Sequence, residues 1–254
     1  MTHNSQLQGK VALVTAAGAG IGQATAWFLA ARGAEVMAAD IDAAGLAQTL
    51  ADAPTPARTK TIVSDATTLA GADAAVGATV KAFGNLHILA NVVGGSKPGK
   101  TVVDMPVDEW DYWVKINLTS TYLMCKAAIP AMAKSGGGSI VNISSGAGVR
   151  GMTKNPAYVA AKGGVVALTK SLAFEYGEHG IRSNVIVPGT VKTPRVMKML
   201  ATEVAIQKQV SQYLMGLIEP QDVTYAAIYL ASDESLRTTA QTIGVDSGFL
   251  NTHK

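Results

Sequence analysis

Cysteine is almost missing from this 254-residue chain, in which Cys125 stands alone. A single thiol excludes an internal disulfide and any structural zinc site built on several cysteines, and it fits a reducing cytoplasm. Its surroundings, TYLMCKAA, form an apolar helical stretch, which implies a packed thiol and not a nucleophile. Charge is scarce as well: Asp, Glu, Lys and Arg make up 15% of residues, and the formal net charge is +3. No Lys/Arg run tracks a phosphate backbone, so nucleic acid is not an expected partner. No apolar run reaches membrane-spanning length, and no membrane association is expected. The opening MTHNSQLQGK lacks the basic-then-apolar pattern of a secretory signal. The four histidines (His3, His87, His179, His253) fall in none of the motifs below, and no His/Cys/carboxylate cluster calls for a metal.

Apolar residues, by contrast, make up 48% of the chain, enough to bury a parallel sheet between two layers of helices. Short β-branched runs read as strands at Val11–Thr15, Glu35–Asp40, Lys60–Asp65, Leu86–Asn91, Gly138–Ser144, Arg182–Val187 and Gln241–Val245. Helical patterns lie between them at 21–32, 43–52, 68–83, 107–134, 156–178 and 220–231. This alternation implies right-handed βαβ units: an α/β fold, with a Rossmann-type doubly wound parallel sheet of about seven strands and helices on both faces. No repeat, low-complexity tract or linker divides the chain, so residues 1–254 read as a single domain with a short substrate lid around 190–216.

The first strand runs into Thr15-Ala-Ala-Gly18-Ala-Gly20-Ile21-Gly22, and a helix follows. Glycines at a strand-to-helix turn let a pyrophosphate approach the backbone, while the helix N-terminus offers free N–H groups and positive dipole. A glycine cluster alone could be a tight turn. Asp40, at the end of the next strand and 18 residues beyond Gly22, makes the pattern more specific. A carboxylate there accepts from the adenosine ribose hydroxyls and repels a 2′-phosphate. Neither Ala19 nor Ile41 supplies a cation for that phosphate, so the expected cofactor is NAD.

Tyr158-Val-Ala-Ala-Lys162 places a phenol and an ammonium on one helix face, with Ser145 thirteen residues upstream at a strand end. A free tyrosine has a pKa near ~10, too high for a base at neutral pH. A nearby positive charge favours the phenolate, and a serine hydroxyl can donate to a carbonyl oxygen as it gains charge. A lone Tyr-x-x-x-Lys pair on an amphipathic helix would mean little.

Together these motifs resemble the classical short-chain dehydrogenase/reductases over essentially the whole chain. The family's TGxxxGxG turn matches Thr15, Gly20 and Gly22, with Ala16 at its first glycine. Ser64-Asp65-Ala66 matches the acid-containing third-strand end, and Asn91-Val-Val-Gly94 matches NNAG with two valines substituted. The resemblance implies that Asp65 and Ala66 face adenine, that Asn91 and Gly94 floor the nicotinamide site, and that Pro188, Gly189, Val191 and Thr193 contact the carboxamide. It assigns Tyr158 as general acid/base, Lys162 as the residue that lowers its pKa and binds the nicotinamide ribose, and Ser145 as the group orienting the substrate oxygen. Asn117 would hold a proton-relaying water. The same resemblance implies a homotetramer, through the segment from Glu219-Pro220 to Gly248.

The expected activity is therefore NAD-dependent interconversion of a secondary alcohol and a ketone. A catalytically silent NAD sensor or scaffold on the same fold is the alternative. Three stretches around the mouth carry Lys97 and Lys100, then Arg150 and Lys154, then Lys192, Arg195 and Lys198, without a single acid. Ser96, Arg150, Lys154 and Arg195 are accordingly the candidate substrate contacts, suited to a small hydroxy or keto acid. The lid's Val196, Met197, Met199, Leu200, Tyr213, Leu214 and Met215 would equally line an apolar wall for a cyclic or aliphatic alcohol.

Overall fold

A computed structural model describes residues 6–251; His3 and His253 lie outside the described residues. Seven strands form one parallel sheet in the order β3-β2-β1-β4-β5-β6-β7: β1 Val11–Thr15, β2 Glu35–Asp40, β3 Thr59–Val63, β4 Ile88–Asn91, β5 Gly138–Ile143, β6 Ile181–Pro188 and β7 Thr242–Val245. The helices are α1 Gly20–Ala31, α2 Ala43–Ala51, α3 Leu69–Phe83, α4 Val107–Val114, α5 Ser120–Lys134, α6 Gly146–Arg150, α7 Pro156–Tyr176, α8 Pro194–Leu200, α9 Glu203–Val210 and α10 Pro220–Ala231.

Strand alternation distributes the core. Leu13, Leu89 and Ile140 face one way and pack with Met124, Cys125, Met132 and Leu172. Ala12, Val14, Ile88 and Ala90 face the other way and pack with Leu29, Leu46 and Ile228. Every residue of β1 and β4 is buried, as a strand covered on both faces requires. The strand order reverses between β1 and β4, so a crevice opens at their C-terminal ends, where open α/β sheets bind ligands.

Three sequence expectations change here. The helix expected over 107–134 is interrupted at Lys115–Thr119 by a π-turn, which separates α4 from α5. The third strand stops at Val63, because the Asp65 carboxylate accepts from the Thr67 N–H and turns the chain out of the sheet. The stretches expected as loops after β5 and β6 contain α6, α8 and α9, started by the Ser145, Thr193 and Thr202 side chains as N-caps.

Candidate active site

The glycine turn is built by two devices. Ala16 (φ +52°) and Gly20 (φ +57°) both take the left-handed conformation, and a Cβ on Gly22 would lie 2.0 Å from the Ala16 carbonyl oxygen. Only glycine lets α1 start that close to β1. The Asp40 carboxylate then fixes the turn, accepting from Gly18 N–H at 2.8 Å and from Asp42 N–H at 2.9 Å. This structural task of Asp40 was invisible in the sequence. Across the crevice, Thr193 faces Gly20 so closely that a Cβ there would come within 2.9 Å of the Thr193 methyl. Ile21, half-buried, belongs to this turn.

Thr15 ties the turn to β4: its hydroxyl accepts from Val92 N–H at 2.9 Å and lies 3.3 Å from the Ala90 carbonyl. Asp65 is exposed, and the hydrogen bond from the Thr67 hydroxyl holds its carboxyl below the usual range. Ala66 beside it is buried. Asn91 ends β4 with its side chain buried in the sheet. Its side-chain N–H groups reach Asn142 Oδ1 at 2.8 Å and Cys125 Sγ at 3.3 Å, and Asn142 donates onward to Thr169 at 2.9 Å. Its carboxamide therefore clasps β4 to β5 inside the core. Burial pushes the Cys125 thiol up to about 12, which keeps it protonated and inert.

At the catalytic end, Lys162 is only 3% exposed, and its Nζ donates to the Ile143 carbonyl at 2.8 Å. Burial lowers its ammonium to about 8. The π-turn delivers Asn117 to the same place. Asn117 Oδ1 accepts from Gly95 N–H at 2.9 Å, and its Nδ2 donates to the Gly95 carbonyl at 2.8 Å and the Trp113 carbonyl at 2.9 Å. A Cβ on Gly94 would sit 2.8 Å from Lys162 Nζ and 2.9 Å from Asn117 Oδ1, so these two polar atoms converge on the β4 turn. π-turns of this kind recur at functional positions.

Ser145 ends the β5 connection and caps α6, accepting from Ala147 N–H at 3.2 Å. Its hydroxyl also acts on the Tyr158 phenol. Desolvation pushes that phenol above its ordinary value, while the Ser145 hydroxyl and the positive charge of Arg195 pull it down. Lys162, one turn further along α7, gives one of its three donors to Ile143, and Arg195 adds positive charge from α8.

The three cationic stretches are less uniform than their sequences. Lys100 pairs with Glu109, and Lys192 pairs with Glu219 at 2.6 Å. Arg150 donates to the Phe249 carbonyl at 3.1 Å and lies over the Phe249 ring, 5.0 Å from its centroid. Phe249 stacks in turn on Tyr213 (4.9 Å, 23°), whose hydroxyl accepts from Thr190 N–H at 2.8 Å. Gly189 follows Pro188 without a side chain because the Tyr213 ring fills that space, and Val191 behind it is buried. Lys154 takes φ +57°, and its carbonyl accepts from Gly99 N–H at 2.8 Å. Arg195 reaches from α8 to the turn after β4, donating to the Ser96 carbonyl at 2.8 Å and approaching the Gly94 carbonyl at 3.5 Å.

Among the described residues no group of three or more His, Cys, Asp or Glu is placed to hold a metal ion, and no helix is long and apolar enough to cross a membrane. A protein-family model described as enoyl-(acyl carrier protein) reductase matches residues 15–250. The chain is 38% identical to a 2-keto-3-deoxy-L-fuconate dehydrogenase of Xanthomonas campestris pv. campestris, over 98% of this chain and 83% of that protein. It is 39% identical to a trans-4-hydroxycyclohexanecarboxylate dehydrogenase of Sinomonas cyclohexanicum, over 94% of this chain and 92% of that one. Among solved structures, levodione reductase superposes with a TM-score of 0.91 at 30% identity, covering 97% of this chain and 100% of that one. A short-chain type dehydrogenase/reductase from Mycobacterium ulcerans superposes with a TM-score of 0.91 at 29% identity, covering 96% of this chain and 91% of that one.

Proposed function

The chain belongs to the short-chain dehydrogenase/reductase family, and from that premise we propose that it interconverts a secondary alcohol and a ketone with NAD(H), Tyr158 acting as general acid/base. The observation that carries this reading is the convergence of Lys162 Nζ from α7 and Asn117 Oδ1 from the π-turn on Gly94, with Tyr158 one turn before Lys162 on α7 and Ser145 at the start of α6. A silent NAD-binding protein would use Lys162 on the nicotinamide ribose but would have no use for a phenol and a serine hydroxyl set beside it.

The residues around the crevice fit a dinucleotide. Gly20 and Gly22 have no room for a Cβ, so the backbone at the N-terminus of α1 lies bare for a pyrophosphate to approach. Asp40 retains acceptor capacity beyond its two backbone bonds and would hold the adenosine ribose, with Asp65 and Ala66 toward the base. No cation replaces Ala19 or the exposed Ile41, which supports NAD over NADP. When bound, the nicotinamide ring gives or takes the hydride. In the reductive direction Ser145 donates to the carbonyl oxygen and Tyr158 delivers the proton to it; in oxidation Tyr158 removes the hydroxyl proton. Lys162 binds the nicotinamide ribose, and Asn117 orders the turn over which protons leave. Substrates of the named relatives include sugar-derived and cyclohexane carboxylates, which supports a small alcohol or ketone of that size. We place the enzyme in the cytoplasm, as a homotetramer.

Tyr158→Phe tests the assignment. Turnover falls by ~10²-fold or more, the usual contribution of a positioned acid/base, while NADH binding measured by fluorescence titration stays within a few-fold of wild type. A variant retaining a tenth of wild-type kcat overturns the role of Tyr158.

A further inference from the structure

Resting on the oxidoreductase reading above, we infer that Arg195 is a carboxylate-binding residue, so that the substrate is a hydroxy or keto acid whose anionic group sits beside its reacting carbon. Three of the other cations near the mouth are already satisfied. Lys100 and Lys192 face glutamates, and Arg150 is committed to the Phe249 carbonyl and ring. Arg195 is different in kind. Its recorded partners are two neutral backbone carbonyls, those of Ser96 and Gly94, and no carboxylate of the described residues pairs with it. Carbonyls orient a guanidinium without cancelling its charge. Of its five N–H donors, the remaining ones form a fork suited to a bidentate carboxylate.

The bed under this guanidinium is specific. A Cβ on Gly95 would lie 2.0 Å from Arg195 Nη1, so any larger residue there would displace it. Gly95 is in turn clipped by both atoms of the Asn117 carboxamide. The charge is thus anchored to the turn that also meets Lys162. Its field reaches Tyr158, which places it on the reacting side of the crevice. Arg195 from α8 and Lys162 from α7 meet adjacent glycines of one turn, Gly95 and Gly94, so a carboxylate on Arg195 would lie on the side of the crevice that holds Tyr158. A neutral substrate offers that charge no partner and gains only its pull on the Tyr158 phenol.

The test compares matched keto acids and their methyl esters, open-chain and cyclic, as NADH oxidation by wild type, Arg195→Met and Arg195→Lys. The expected result is an acid preferred over its ester in wild type. Arg195→Met then lowers kcat/KM for the acid by about 10- to 100-fold more than for the ester, the range of a lost charge-assisted pair, and Arg195→Lys falls between. Saturating acid also raises the Tm of the wild-type enzyme with NADH, and not that of Arg195→Met. Equal losses for acid and ester with weaker NADH binding would assign the charge to the cofactor pyrophosphate and overturn the inference. So would an ester that equals its acid in wild type. Turnover of no pair would overturn the oxidoreductase reading, while the Tm comparison alone would still decide whether Arg195 binds carboxylates.

Discussion

Both carboxylate oxygens of Asp40 accept backbone N–H groups, so this residue shapes the glycine turn before it meets any cofactor. Asp40→Ser therefore has two effects. The ratio of NADP to NAD efficiency rises by about tenfold or more, and the Tm falls because two hydrogen bonds to a charged group, each contributing about 1.5–3 kcal/mol, are lost. A wild-type enzyme that prefers NADP overturns this reading of Asp40. Lys162 leads to a pH signature. Its folded value of about 8 lies below the 10.5 of an exposed lysine, so the unfolded chain binds the extra proton and stability rises with pH through that interval. Cys125 acts in the opposite sense above its unfolded value of 9.0, since its thiol is raised to about 12. The clean window is pH 8 to 9. Urea midpoints of the apo enzyme increase across it, and Lys162→Met removes the increase; an unchanged slope in the variant contradicts the burial account of Lys162.

At the scale of elements, the segment after α10 closes a stack of Arg150, Phe249 and Tyr213 that joins the β5 loop, the C-terminal segment and the β6 insert. Phe249→Ala removes the middle of that stack. Its Tm drops, and KM for the carbonyl substrate rises several-fold more than KM for NADH, because Ser145 and Thr190 lose a shared support; Phe249→Tyr retains both values. Equal changes in the two KM values would reduce the stack to ordinary packing. Little of this was legible in the sequence, since Arg150, Tyr213 and Phe249 lie far apart and stacking leaves no periodic mark. The strands were legible where apolar residues run together, as in Val11–Val14 of β1, Ile88–Ala90 of β4 and the Val185–Val187 end of β6. So was α7, whose Tyr158 and Lys162 spacing fixes their common face. The π-turn at Lys115–Thr119 was not, because one extra residue in a helical turn changes which carbonyls are met without changing residue types. Asn117 was found only by resemblance; its partner Gly95 could have been suspected from the doubled glycine at 94–95.

For the whole molecule, Val102, Val103, Val107, Trp110, Tyr112 and Tyr122 are exposed on and before α4 and α5. Phe174, Val204 and Met215 are exposed elsewhere, and exposed apolar surface of this extent supports the proposed self-association. Light scattering is expected to give a mass four times that of the 26.2 kDa chain, and a monomer at micromolar concentration rules the tetramer out.

The hydrogen bonds that build the crevice are drawn from across the chain. Gly18 meets Asp40 over 22 positions, Gly95 meets Asn117 over 22, and both Ser96 with Arg195 and Arg150 with Phe249 span 99. Contacts of such separation form late, after local helices and after the loop-closure cost has been met. A collapsed intermediate with its helices in place would hold neither the Arg195 bed nor the Phe249 stack. On refolding, activity is expected to return after helical content, and recovery of both in one phase would contradict this order.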